Sequence, residues 1–516
     1  MQILAVSGNV LTELAAQNID GTREPLSQLV KTELQSKLGF NAARLRLLWD
    51  GQELPEQGSY EDLGQPKELQ LVVLPYRHDQ ADALRSASAQ GNLTEVKALL
   101  HLPQDPNSGG DTGPQAFTAL QCAAECGHLE VVQTLLQARA VPDTQQLTPL
   151  WFAAAHGHLE VVQCLMDAGA SKDKAEQSGS TAVQVAAANG QLEVVDCLLN
   201  AAADLNKPDR FGISPLRIAA ARGHLEVVQR LCNARAEVDQ ADLEGHTPLW
   251  MASGVGQSKV VDYLISIKAD MDRRDFSGDT ALRTAAARGH EETVQCLVAK
   301  RADLNLPGRN ETPPLLSAIS NGHERIAELL LAAQADLQQC GWFGRTPLWE
   351  ASSKGYVKMV TMLLEQRADA NHQDKGGTTA LTSAAARGYV SIVQLLLDAL
   401  ADQNRSDERG QSPLIAAASF GQREVVQRLL QARADQAPSE RATGHTALHA
   451  AADAGHLEVL QCLLESRADR HLSDRQNRTP LMLAAAAEHR DIVRVLGDEA
   501  DNSSHCLKKA RRDEKL

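Results

Sequence analysis

The stretch that decides the fold is Thr148–Ala170, TPLWFAAAHGHLEVVQCLMDAGA. Thr148 is a good helix N-cap, and Pro149 suits the first helical position, where its missing N–H costs nothing. Leu150, Ala153 and Ala154 give a short helix a small-residue face, and Gly157 supplies a left-handed residue to end it. Leu159, Val161, Val162 and Leu165 then mark a second, antiparallel helix with an apolar stripe. Glu160 lies in its first turn, where a negative charge suits the helix dipole. One such pair cannot bury its stripe alone, whereas stacked pairs can.

Related segments begin at Thr118, Thr181, Ser214, Thr247, Thr280, Pro313, Thr346, Thr379, Ser412, Thr446 and Thr479, mostly 33 residues apart. A degenerate copy, DALRSASAQGNLTEVKALL, starts at Asp82, so about thirteen units cover roughly residues 80–501. Glycine recurs two residues ahead of most starts, as at Gly179, Gly212 and Gly377, where a hairpin tip demands positive φ. A longer period of 99 residues places Trp151, Trp250 and Trp349, and also Asn206, Asn305 and Asn404, three units apart. Blocks of three units were duplicated in tandem.

On these residues the chain resembles ankyrin-repeat proteins over some four-fifths of its length. The resemblance implies a hairpin–helix–helix unit stacked into a curved solenoid roughly 110 Å long, at 8–10 Å per neighbour. One slot departs from the family: Arg139, Arg235, Arg301, Arg367, Arg433 and Arg467 stand after the second helix, where glycine is usual. A cation there is expected to favour the helix's negative end by about 0.3–1 kcal/mol.

Residues 1–76 lie outside the repeat. MQILAVS, Gly8–Asn9 and VLTELAA read as a hairpin, Leu26, Leu29, Val30, Leu34 and Leu38 as a helical stripe ending near Gly39, and RLRLLWDGQEL and ELQLVVL as further strands. This order, with MQI at the start and RLLWDGQELPEQGSYEDLG, looks like a ubiquitin-like β-grasp. Leu48 and Val72 align with two members of that family's apolar interaction patch; the third belongs in the first turn, where only Gly8 and Asn9 stand. LVVLPYRHDQ runs into the repeats without a terminal Gly–Gly, so a built-in docking domain is expected rather than conjugation.

Composition bounds the function. Of 516 residues only 3% are aromatic, and the net charge is −15, most of it on the middle of the chain. Such a balance disfavours nucleic acid and anionic lipid as main partners, and no apolar run suits membrane insertion. MQILAVSGNV lacks the features of a signal peptide and the nine cysteines form no disulfide framework, so cytoplasm is expected, with the nucleus as a second compartment if the basic KKARRDEKL tail acts in import. No catalytic motif or cofactor site emerges. His128, His158, His224, His290, His323 and His456 share one slot at the second helix's start, too regularly separated to converge on a metal. Cys164, Cys197, Cys296 and Cys462 share another, where small buried thiols pack, and Cys122 with Cys126 makes only a weak metal signal.

Binding is expected on the hairpin tips and the exposed end of the first helix. Phe211, Phe276, Trp342, Phe343 and Phe420 lie there with Arg222, Arg288, Arg345 and Arg387, and Arg210 and Lys354 at similar positions; aromatics and arginine are the usual interface anchors. Trp151, Trp250 and Trp349 read instead as braces between units. The fold expected is mainly α, an ankyrin-repeat solenoid at 77–501 after a small α+β ubiquitin-like domain at 1–76 and before a basic, disordered tail at 502–516. The function expected is a monomeric, non-enzymatic scaffold binding proteins on its concave side, linked to ubiquitin receptors or proteasome factors by the first domain. A structural or cytoskeletal adaptor outside ubiquitin pathways is the rival.

Overall fold

The computed structural model describes residues 2–5, 10–13, 26, 28, 30–32, 34, 45–49, 52–54, 68–73, 80–102, 105–108, 117–143, 147–437 and 439–497. The Gly8–Asn9 turn, Gly39, most of the 105–114 loop and the basic tail lie outside them. The chain divides into two units, Met1–Leu243 and Glu244–Leu516.

The first unit opens with a five-stranded sheet: β1 (Gln2–Ala5), β2 (Val10–Glu13), β3 (Leu45–Trp49), β4 (Gln52–Glu53) and β5 (Glu68–Val73), in the order β2-β1-β5-β3-β4. β1 runs parallel to β5 and antiparallel to β2, while β3 is antiparallel to both β5 and β4. Leu26, Val30 and Leu34, four residues apart on a helix, share one core with Ile3, Leu45, Leu47, Leu54, Leu69 and Leu71. Alternation along β3 and β5 puts Leu45, Leu47, Leu69 and Leu71 on the covered face and their neighbours on the other. This order is compatible with a β-grasp.

Helix pairs then follow as the period requires. In Met1–Leu243 they are Ala81–Ala89 with Leu93–Leu100, Ala119–Cys126 with Leu129–Gln137, Pro149–His156 with Leu159–Asp167, Ala182–Ala188 with Leu192–Asn200, and Pro215–Arg222 with Leu225–Asn233. Glu244–Leu516 continues from Pro248–Gly254 with Ser258–Ser266 to Pro480–Ala486 with 490–497. Thr148, Thr181, Thr247 and Thr346 each accept a hydrogen bond from the N–H three residues on, as N-caps should. Pro313, with no hydroxyl, makes no such bond.

Within each unit, first helices pack on first helices and second on second. Ala153, Ala154, Ala285 and Ala286 are fully buried, which lets helix backbones approach, and Val161, Val162 and Leu165 seal the space behind them. The core is therefore built of methyl groups rather than rings, as the low aromatic content requires.

Candidate partner-binding surface

Several hairpins are built on an acidic residue turned inward, whereas Gly308 and Gly341 hold that slot in two others. Asp374 Oδ1 accepts from Gly376 N at 3.0 Å and Thr378 N at 2.8 Å, and Asp407 does the same for Arg409 and Gln411. At Asp474, burial opposes ionisation, but bonds from the Arg478 backbone and guanidinium and from the Gln476 N–H hold its pKa at about 2. Gly377 crosses the tip at φ 79°, and a β-carbon there would lie 2.8 Å from Glu408 N, so both conformation and space demand glycine.

Successive tips are hydrogen-bonded to one another. In Glu244–Leu516, Phe276 N donates to Glu244 O, Trp342 N to Asn310 O, Lys375 N to Phe343 O and Glu408 N to Gly376 O. Asn305 Oδ1 receives Asp336 N and Asn404 Oδ1 receives Asp435 N, so the 99-residue asparagines bridge hairpins. The rim is a hydrogen-bonded ladder, rigid before any partner arrives.

The structure places the expected residues on this ladder and at the ends of the first helices, Phe420 among the latter. Phe276 is 81% exposed, Trp342 55%, Phe343 56% and Phe420 61%; in the first unit Phe211 is 63% exposed. Trp342 and Phe343 lie 5.2 Å apart. Arg345 sits behind them, 4.0 Å over the Trp349 ring and 5.3 Å over Phe343, with its Nε 3.7 Å from Asp374. It is a strut that holds Phe343 outward more than a free anchor. Arg288 is likewise engaged, donating to Gly254 O at 2.7 Å and lying over Trp250, and Arg387 donates to Ser383 Oγ at 2.9 Å. Arg210, Arg222 and Lys354 are exposed, the last within 3.7 Å of Glu350. Of the tryptophans 99 residues apart, Trp250 is buried, stacks on His246 at 3.8 Å and donates to Asp279 O, Trp349 is 5% exposed, and Trp151 is half-buried.

Three readings change. The slot histidines do more than begin a helix. Nε2 of His128, His158, His290 and His323 reaches a carbonyl at the end of the preceding unit's first helix, at 3.0–3.1 Å, stitching unit to unit. The slot arginines are all left-handed, at φ 62–68°, so their helix-end charge is carried on a backbone that glycine adopts freely. Cys164, Cys197 and Cys296 are half-buried, and only Cys462 of that slot is buried. Burial pushes these thiols up, and Cys232, two positions beyond that slot in its repeat, to about 11, the reverse of what a nucleophile needs. Burial likewise raises Cys122 and Cys126, and no group of three metal-ligating side chains occurs among the described residues.

Sequence reading passed over Leu243, 67% exposed in the tip slot that also holds Phe276 and Trp342, and Leu400, 85% exposed at the second helix's end. The slot number alone would have found the first. On the N-terminal sheet Leu48 pairs with Gln70 and Val72 with Arg46, which puts Leu48 and Val72 diagonally on the uncovered face, both half-exposed.

A family model described as ankyrin repeats (3 copies) matches in overlapping stretches from residue 139 to 506, including 183–275, 282–374 and 414–506, and a single ankyrin repeat matches 116–146. No curated protein matches the chain significantly. No helix among the described residues is long and apolar enough to cross a membrane.

Proposed function

The chain belongs to the ankyrin-repeat family, whose repeats bind proteins, and from that premise we propose a non-enzymatic scaffold that grips partner proteins along its hairpin rim between residues 200 and 430. The observation that carries this is the exposure of Phe276, Trp342 and Phe343 on a hydrogen-bonded ladder. Large apolar side chains left on a rigid, polar-rimmed edge mark interaction sites. Affinity capture with the full chain, against a variant carrying Trp342→Ala, Phe343→Ala and Arg345→Ala, tests it. Loss of the captured proteins is expected; an intact set would move the binding centre elsewhere.

The same proposal gives the N-terminal domain a ubiquitin-like role, docking ubiquitin receptors or proteasome factors through Leu48 and Val72. Its support is the sheet order and the diagonal placement of the two side chains on one open face. In the full chain, Leu48→Ala should abolish recovery of such receptors, and unchanged recovery removes the patch. A cytoplasmic or nuclear site of action accompanies this reading, with partition of the tagged full chain as its test.

A further inference from the structure

The tip slot of Glu244–Leu516 reads Phe276, Arg309, Trp342, Lys375 in four successive units. All four are exposed, and no ion pair of Arg309 or Lys375 occurs among the described residues. The nearby hairpin aspartates are turned inward, away from the tips: Asp275 and Asp374 accept backbone N–H groups, and Asp279 is paired with Arg283 and accepts from Arg309 N. Thus a strongly acidic chain presents a locally cationic edge in which apolar rings and cations alternate. Glu311 is the exposed carboxylate beside Arg309, and Glu244 and Glu408 flank the edge at its two ends.

Resting on the rim reading above, we infer that this edge recognises an extended, acidic segment of a partner protein whose apolar side chains and carboxylates alternate every third residue. Neighbouring units are about 8–10 Å apart, and an extended chain advances about 3.3 Å per residue, so three residues span one unit. The pattern is apolar-x-x-acid-x-x-apolar-x-x-acid. Apolar side chains meet Phe276 and Trp342, and carboxylates meet Arg309 and Lys375. A single-stranded nucleic acid also uses rings and cations, but the net charge of −15 repels a continuous polyanion, whereas a segment with spaced carboxylates needs only the local edge.

The test is calorimetric titration of the full chain with three probes: the peptide Leu-x-x-Glu-x-x-Leu-x-x-Glu with x as Gly or Ser, a peptide of the same composition with both Leu at one end and both Glu at the other, and a single-stranded oligothymidine of similar length. The matched peptide should bind at least about tenfold tighter than the shuffled one, since two displaced contacts of about 0.7 kcal/mol each amount to that factor. Trp342→Ala and Arg309→Glu, both at exposed positions, should each weaken it severalfold, and added salt should weaken it further. Equal affinity for both peptides, no peptide binding, or preference for the oligonucleotide overturns the inference. Protein capture sensitive to the rim substitutions would survive that result, so the two readings fail separately.

Discussion

Leu400→Gly should stabilise the protein although it removes a large side chain. Leu400 follows the helix Val390–Asp398 at φ 59° and is 85% exposed, so it contributes almost no burial. A left-handed L-residue lies about 1–2 kcal/mol above its right-handed form, while glycine's extra freedom in the unfolded chain returns about 0.4–1 kcal/mol. The net gain is therefore about 0–1.6 kcal/mol, centred near 0.8. Arg301→Gly and Arg367→Gly relieve the same strain at φ 68° and 62°, but each also loses a helix-end cation worth about 0.3–1 kcal/mol. They should come out near neutral. Urea unfolding followed by circular dichroism, with Leu400→Ala as control, measures this. Alanine keeps the strain, so it should change the midpoint little. A stabilising Leu400→Ala equal to the glycine variant, or a destabilising Leu400→Gly, would refute the backbone argument.

Three further outcomes can be read in the same assay. Gly377→Ala should cost more than Gly169→Ala: both are left-handed, but a β-carbon at Gly377 meets Glu408 N at 2.8 Å while at Gly169 nothing lies within 4 Å. A difference of about 1 kcal/mol or more between them is expected. His323→Ala should cost about 0.5–1.5 kcal/mol by removing the Nε2 partner of the Ala287 carbonyl, and an unchanged urea midpoint would contradict the stitch. Acid should weaken the array at His449, which is fully buried between Thr446 and the Arg478 carbonyl, beside His445 and Asp474. Burial holds its pKa below the ordinary 6.5, so the neutral ring's contribution is complete above that value and is lost as pH falls below it. The loss of stability between pH 7.5 and 5.5 should shrink in His449→Gln.

Much of the fold was legible because it repeats. The N-caps from Thr118 to Thr479, the tip glycines and the valine–leucine stripes fall where the period puts them, since each satisfies a local demand that a sequence states directly. What escaped depends on contacts between units. His290 reads as an ordinary polar residue until its ring is seen bonded to a carbonyl 36 residues earlier. Arg345 reads as an interface anchor until Trp349 and Asp374 are found around it. Aspartates look like surface charge in a string of letters, yet Asp374 is turned inward and bonded to its own turn. Cys164 reads as a core thiol because its slot lies on the second helix, but the stripe there is Val161, Val162 and Leu165, and the thiol falls beside it.

Hydrogen exchange on the full chain, with and without a captured partner, addresses the central claim most directly. Protection concentrated on the tips around 274–278, 341–345 and 374–377, with second helices such as Glu291–Ala299 and Val357–Glu365 unchanged, is the predicted pattern. Protection confined to those second helices, with the tips exchanging as in the free chain, would contradict it.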